Sequence, residues 1–109
     1  MSQTHSVFAL SDRISPEAID ELYSNEGTKT EIITYFNGLG GGMDWANAQL
    51  NAYGKPEIYC VPKNQVFTGE DFYSVYRAEY LRQKNFWNSQ EFQPPGLLLL
   101  RGMINMYPC

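Results

Sequence analysis

The chain has 109 residues, 43% of them hydrophobic and 15% aromatic, which fits one globular domain with a single modest core and argues against disorder. Eight basic residues against twelve acidic ones leave a net charge of −4, and an acidic surface argues against nucleic-acid binding as the main task. No stretch approaches the roughly 20 apolar residues that span a bilayer, since the run GLLLL ends at once on Arg101.

Residues 1–13 are polar and mixed and read as a flexible segment ahead of one helical domain over 14–109. The opening MSQTHSVFALSDR lacks a charged start followed by an apolar core, which suits a cytosolic protein and a mature exported one equally. SPEAIDELYS then predicts a helix. Ser15 can cap it, Pro16 fits its first position, Glu17 suits its positive end, and Ile19, Leu22 and Tyr23 recur at helical spacing.

The stretch TKTEIITYFNGLGGGMDWANAQLNAYG predicts a second helix, capped by Thr28 or Thr30 and stopped by Gly54 and Pro56. Its apolar stripe runs through Ile32, Ile33, Phe36, Leu39, Met43, Ala46 and Leu50. Each glycine among 38, 40, 41 and 42 costs about 1 kcal/mol in a helix relative to alanine. One reading breaks the helix at 40–42. The other, which we favour because the stripe keeps its phase, is a continuous helix whose glycines Gly38, Gly41 and Gly42 admit a close neighbour. A phosphate cradle is disfavoured, because no G-x-x-x-x-G-K-[ST] is present and the glycines follow a helical pattern.

KPEIYCVPKNQ is an irregular connector with two prolines. TGEDFYSVYRAEYLRQK predicts a third helix that opens on a Thr68–Asp71 capping box and ends on Arg82 and Lys84. Phe72, Val75, Tyr76 and Tyr80 share its apolar face, with Tyr73 and Leu81 flanking. NFWNSQEFQPP reads as irregular and aromatic. PGLLLLRGMINMY then predicts a last helix to about Met106, with Leu97, Leu100, Ile104 and Tyr107 on one face and Leu98 and Met103 beside it. The whole reads as all-α, a small bundle of four to five helices.

Catalytic chemistry finds little support. The single histidine, His5, falls in the flexible segment and reads as a surface residue, so no anchored base is available to a cysteine nucleophile. A structural zinc site needs about four Cys or His ligands, and the chain offers three. Neither a metal nor any other cofactor is expected. The carboxylates Asp20, Glu21, Glu57, Glu70, Asp71, Glu79 and Glu91 read as solvated helix faces and caps. The two cysteines leave two readings: unrelated thiols, or a Cys60–Cys109 disulfide that pins the last helix to the connector and implies an oxidising compartment. Phe86, Trp87, Asn88, Glu91 and Phe92 make the best candidate binding loop, because Trp and Phe serve well as interface anchors. The competing reading is that Phe86, Trp87 and Phe92 simply cover the core.

YFNGLGGGMDWA, IYCVP followed by VFTGEDFYSVYRAEYL, and the closing PPGLLLLRGMINMYPC together resemble the Rap/Tai family over residues 30–109. These are immunity proteins against type VI secretion amidase effectors. The matching features are Tyr35 with Gly38, the connector Tyr59-Cys60-Val61-Pro62, the helix start Thr68 to Phe72, and the closing Leu98-Leu99-Leu100-Arg101-Gly102 through Tyr107-Pro108-Cys109. The resemblance implies a small helical periplasmic protein, often a dimer, with the Cys60–Cys109 disulfide, which binds an amidase that cleaves peptidoglycan cross-links. The chain departs from the family in a heavier glycine cluster and in lacking a cysteine at the start of the glycine-bearing helix. No toxin-contact residue carries over by motif. The alternatives are a small periplasmic acid-stress chaperone, and an envelope protein of the same fold without a toxin.

Overall fold

In a computed structural model, which describes residues 13–109, the chain forms five α-helices and, among the described residues, no strand. These are α1 (Pro16–Ser24), α2 (Glu26–Ala52), α3 (Gly69–Arg82), α4 (Lys84–Asn88) and α5 (Pro95–Met106). The expected flexible segment, apart from Arg13, and His5 lie outside the described residues.

The predicted caps form. The Ser15 hydroxyl accepts from the Ala18 N–H at 3.1 Å, with Pro16 at the first helical position. The Thr68–Asp71 box closes in both directions, at 2.8 and 3.2 Å. Gly54 takes the left-handed conformation, φ 68°, that a helix end of this kind requires. There the Lys55 N–H reaches back to the Leu50 carbonyl and the Gly54 N–H to that of Asn51.

The second helix starts earlier than expected. Asn25 both ends α1 and caps α2, its side-chain oxygen accepting from the Gly27 N–H at 2.8 Å. Thr28 is therefore inside the helix, where its hydroxyl bonds back to the Leu22 carbonyl. α2 runs unbroken through all four central glycines for 27 residues, about 40 Å at 1.5 Å per residue.

The glycines do not work as expected. A Cβ on Gly38, Gly41 or Gly42 would meet nothing within 4 Å, so none of the three packs against a neighbour in the chain. The close approach is made at Gly40, where a Cβ would fall 2.3 Å from the Phe72 ring. Gly69 and Gly102 serve likewise at their own helix contacts. A Cβ on Gly69 would lie 2.2 Å from the Ile33 carbonyl, and one on Gly102 would lie 2.8 Å from Val75 Cγ1.

α3 is the central element, with α2 on one side and α5 on the other. Its buried face carries Phe72, Tyr73, Val75, Tyr76, Glu79 and Tyr80. Phe36 of α2 meets the rings of Tyr73 and Tyr76 at 5.6 and 4.8 Å. Leu81 is half exposed, and Lys84 opens α4 instead of closing α3. The face of α5 also differs from expectation. Leu98, Leu99, Gly102 and Met103 are buried, whereas Leu97 and Ile104 point outward. Gly102 sets this phase, since it alone lets α5 come down on Val75. The segment expected to be irregular after α3 contains the short turn of helix α4.

Cys60 and Cys109 form a disulfide with a Cα–Cα distance of 5.0 Å. Beside it the Cys60 N–H donates to the Tyr107 carbonyl at 2.7 Å. The connector is thereby joined to the chain beyond α5. No helix among the described residues is long and apolar enough to cross a membrane.

Candidate interaction surfaces

The predicted binding loop is only partly available. Trp87 is 1% exposed and fills the core, and its indole N–H donates to the Glu79 carboxylate at 3.1 Å. It is a packing residue, not a contact residue. Phe86 is 40% exposed, and Glu91 is exposed. Asn88 is exposed, and its side-chain amide is already engaged with the Tyr80 hydroxyl at 2.9 Å. Phe92 is half-buried, with the Arg13 guanidinium 4.4 Å from its ring centre.

Glu79 corrects a second expectation. It is buried, not solvated, and lies where α3, α4 and α5 meet. Its carboxylate accepts from Arg82, from Trp87 and, at 3.2 Å, from Asn105. Three donors on one buried carboxylate supply the partners that make such burial tolerable. Two carboxylates of α1 are likewise engaged. Glu17 accepts from Tyr80, and Asp20 accepts from Tyr73 and from Arg77 Nε at 3.1 Å. The Tyr23 ring stacks on Tyr73 at 4.0 Å and donates its hydroxyl to Glu70. Burial, and then the carboxylate hydrogen bond, hold the Tyr73 and Tyr59 hydroxyls well above the usual phenol range. These tyrosines stay neutral donors at any physiological pH. Among the described residues, no three His, Cys, Asp or Glu side chains gather as a metal site.

Sequence reasoning missed the most exposed aromatics. Trp45 is 78% and Tyr53 72% exposed, both on the C-terminal half of α2. The same half buries Asn47, which binds the connector through Ile58 and Tyr59, while the Tyr59 hydroxyl donates to Asp44 at 2.6 Å. The opposite face is open. At helical spacing it carries Gly38, Gly41, Gly42, Trp45, Ala46, Gln49, Leu50 and Tyr53, and the last part of it forms a shallow apolar groove. A signal was present: from Gly38 to Tyr53 the one charged residue is Asp44, which is too few charges for a solvated helix face.

A second open surface lies on α4 and α5. Leu97, Arg101 and Ile104 share the outer side of α5, and the Arg101 guanidinium sits 5.3 Å from the ring centres of both Phe86 and Trp87. No family model, curated protein or solved structure matches the chain.

Proposed function

We propose that this chain is a periplasmic immunity protein, a binding protein and not an enzyme, which blocks a type VI secretion amidase effector. The observation that carries the reading is the Cys60–Cys109 disulfide, the pairing that the resemblance implies. It suits an oxidising compartment and makes a small domain rigid enough to bind without reordering. The exposed Trp45, Tyr53 and Phe86 supply side chains of the kind that anchor protein interfaces.

The test is protection. The chain, sent to the periplasm, should rescue cells expressing an amidase effector whose gene adjoins its own, and the purified pair should form a complex without peptidoglycan hydrolysis; a genome with no such amidase gene beside it would count against the reading. Cells that lyse at the same rate with and without the chain would refute the reading. An acid-stress chaperone would instead bind many unfolded clients at low pH.

A second copy of the chain is the partner that best suits the open face of α2. In an antiparallel pair with Trp45 beside Ala46 of the other copy, Gly38 meets Tyr53, Gly41 meets Leu50 and Gly42 meets Gln49. Every large side chain then faces a small one, and each contact recurs in reverse as a two-fold interface requires. Four aromatic rings at about 150 Å² each supply over half of the roughly 1,000 Å² that a specific interface buries. Light scattering should give twice the mass of the chain for the wild type and the single mass for Trp45→Glu. A monomeric wild type at tens of micromolar would exclude this dimer.

A further inference from the structure

We infer that the outer face of α5 with α4, centred on Arg101, receives an acidic, apolar-flanked segment of the amidase. This rests on the inhibitor reading above. Leu97, Arg101 and Ile104 are spaced to lie on one side of α5, and Leu97 and Ile104 are 40% and 37% exposed. Phe86 borders them, with Arg101 held over its ring. The buried Trp87 lies under the same guanidinium, so the cation rests on a fixed aromatic floor.

The C-terminal segment of the chain is polarised in charge, with Glu79 just ahead of it buried against Trp87 and Asn105. Residues 80–109 hold Arg82, Lys84 and Arg101 against Glu91 alone, while every other carboxylate of this acidic chain precedes residue 80. Arg82 is committed to Glu79. Among the described residues, no carboxylate pairs with Arg101 or Lys84. Arg101 therefore offers its remaining N–H groups, already oriented, to a carboxylate from outside. Leu97, Ile104 and Phe86 beside it would cover apolar side chains on either side of that carboxylate. A planar cation among exposed apolar groups is the composition of an interface centre and not of an ordinary solvated helix face.

An anionic bilayer is the less suitable occupant. Each Lys or Arg near such a surface contributes about 1 kcal/mol, and the chain as a whole carries −4, which the same field repels.

The test uses the full, disulfide-bonded chain and calorimetric titration against the amidase effector that the protection assay identifies. Arg101→Glu and Leu97→Asp should each weaken binding about tenfold or more. Lys84→Glu should weaken it a few-fold and flatten its dependence on salt. Arg101→Lys should fall between wild type and Arg101→Glu. Unchanged melting curves would show that the substitutions act on binding and not on the fold. If the wild type binds and protects while Arg101→Glu and Leu97→Asp keep the wild-type affinity, this surface assignment is wrong and the inhibitor reading stands. If the wild type does not bind the amidase, both fail. Arg101-dependent sedimentation with vesicles of phosphatidylglycerol and phosphatidylethanolamine would reassign the surface to lipid. Loss of self-association in Arg101→Glu would reassign it to a second copy.

Discussion

The Tyr59 carbonyl accepts a 2.6 Å hydrogen bond from the Asn47 side-chain amide, and the same side chain accepts from the neighbouring Ile58 N–H at 2.6 Å. One buried asparagine thus serves as the strand partner that an irregular connector otherwise lacks. Asn47→Leu removes both bonds and leaves a half-buried donor and a buried acceptor unpaired. The expected loss is about 2–4 kcal/mol, read as a lower urea midpoint with the disulfide intact. A loss under about 0.5 kcal/mol, the range of ordinary surface substitutions, would show that water replaces the asparagine at no cost.

The central glycines should separate by position. At Gly40 an added methyl meets the Phe72 ring, and overpacking of about 1–3 kcal/mol outweighs the gain of about 1 kcal/mol from alanine's helix propensity. Gly41→Ala meets open space, so the monomer should gain stability while self-association weakens. Equal effects at the two positions in thermal melts would contradict the assignment.

Glu79→Gln retains the shape of the buried carboxylate and removes its charge, leaving Arg82 without an ionic partner. The expected cost is about 1–3 kcal/mol. Trp87 reports on the site directly, because its indole N–H loses a charged acceptor. Its fluorescence should shift in the variant at temperatures below the melt. An unshifted emission maximum would mean that the indole does not bond to Glu79.

The Tyr76 hydroxyl is buried and, among the described residues, has no hydrogen-bond partner. Burial pushes its ionisation well above the ordinary value of 10.0, and nearby carboxylates, Asp20 first, add to the effect. The stability tied to its neutral form is therefore complete below pH 10 and is lost as pH rises past the unfolded-state value toward the folded one. Tyr76→Phe should stabilise the protein by about 1 kcal/mol near neutrality and make its urea midpoint less sensitive to alkali. A destabilised Tyr76→Phe would reveal a partner for the hydroxyl.

Reduction, or Cys60→Ser, should lower stability by roughly 4 kcal/mol for a loop of this length. Denaturation with and without a dithiol reductant measures the difference. A difference near zero would mean that the reduced, unfolded chain keeps residual structure that already restrains the loop.

Much of the fold was legible where chemistry is local. Ser15 with Pro16, Thr68 with Asp71, and Gly54 each mark a helix end through bonds within a few residues. The unbroken α2 followed from the phase of its apolar stripe. The start of α2 was not legible, because Asn25 ends one helix while capping the next and leaves no gap to detect. α5 misled for another reason. Leucine at every position from 97 to 100 carries no phase, and the true face is selected by Gly102 against Val75, on a different helix. Glu79 looked like any carboxylate on a helix. Its donors lie 3, 8 and 26 residues away, and only the tertiary fold collects them. Trp87 beside Phe86 gave no hint of which ring turns inward. On the candidate surfaces, the aromatics of α2 were signalled mainly by missing charge.

The disulfide closes a covalent ring that contains α3, α4 and α5 and leaves α1 and α2 outside. In topology the molecule is a helical hairpin laid upon a ring. Bond closure restrains only the ring's unfolded freedom, so retention of the hairpin falls to noncovalent contacts, among them Ile32, Phe36, the Asn47 lock and the bonds of Glu17 and Asp20 to α3. When the hairpin lifts, Phe72 and Tyr76 on the ring meet water. The hairpin of another molecule fits the same place, which makes exchange of hairpins between chains the natural failure of this architecture at high concentration.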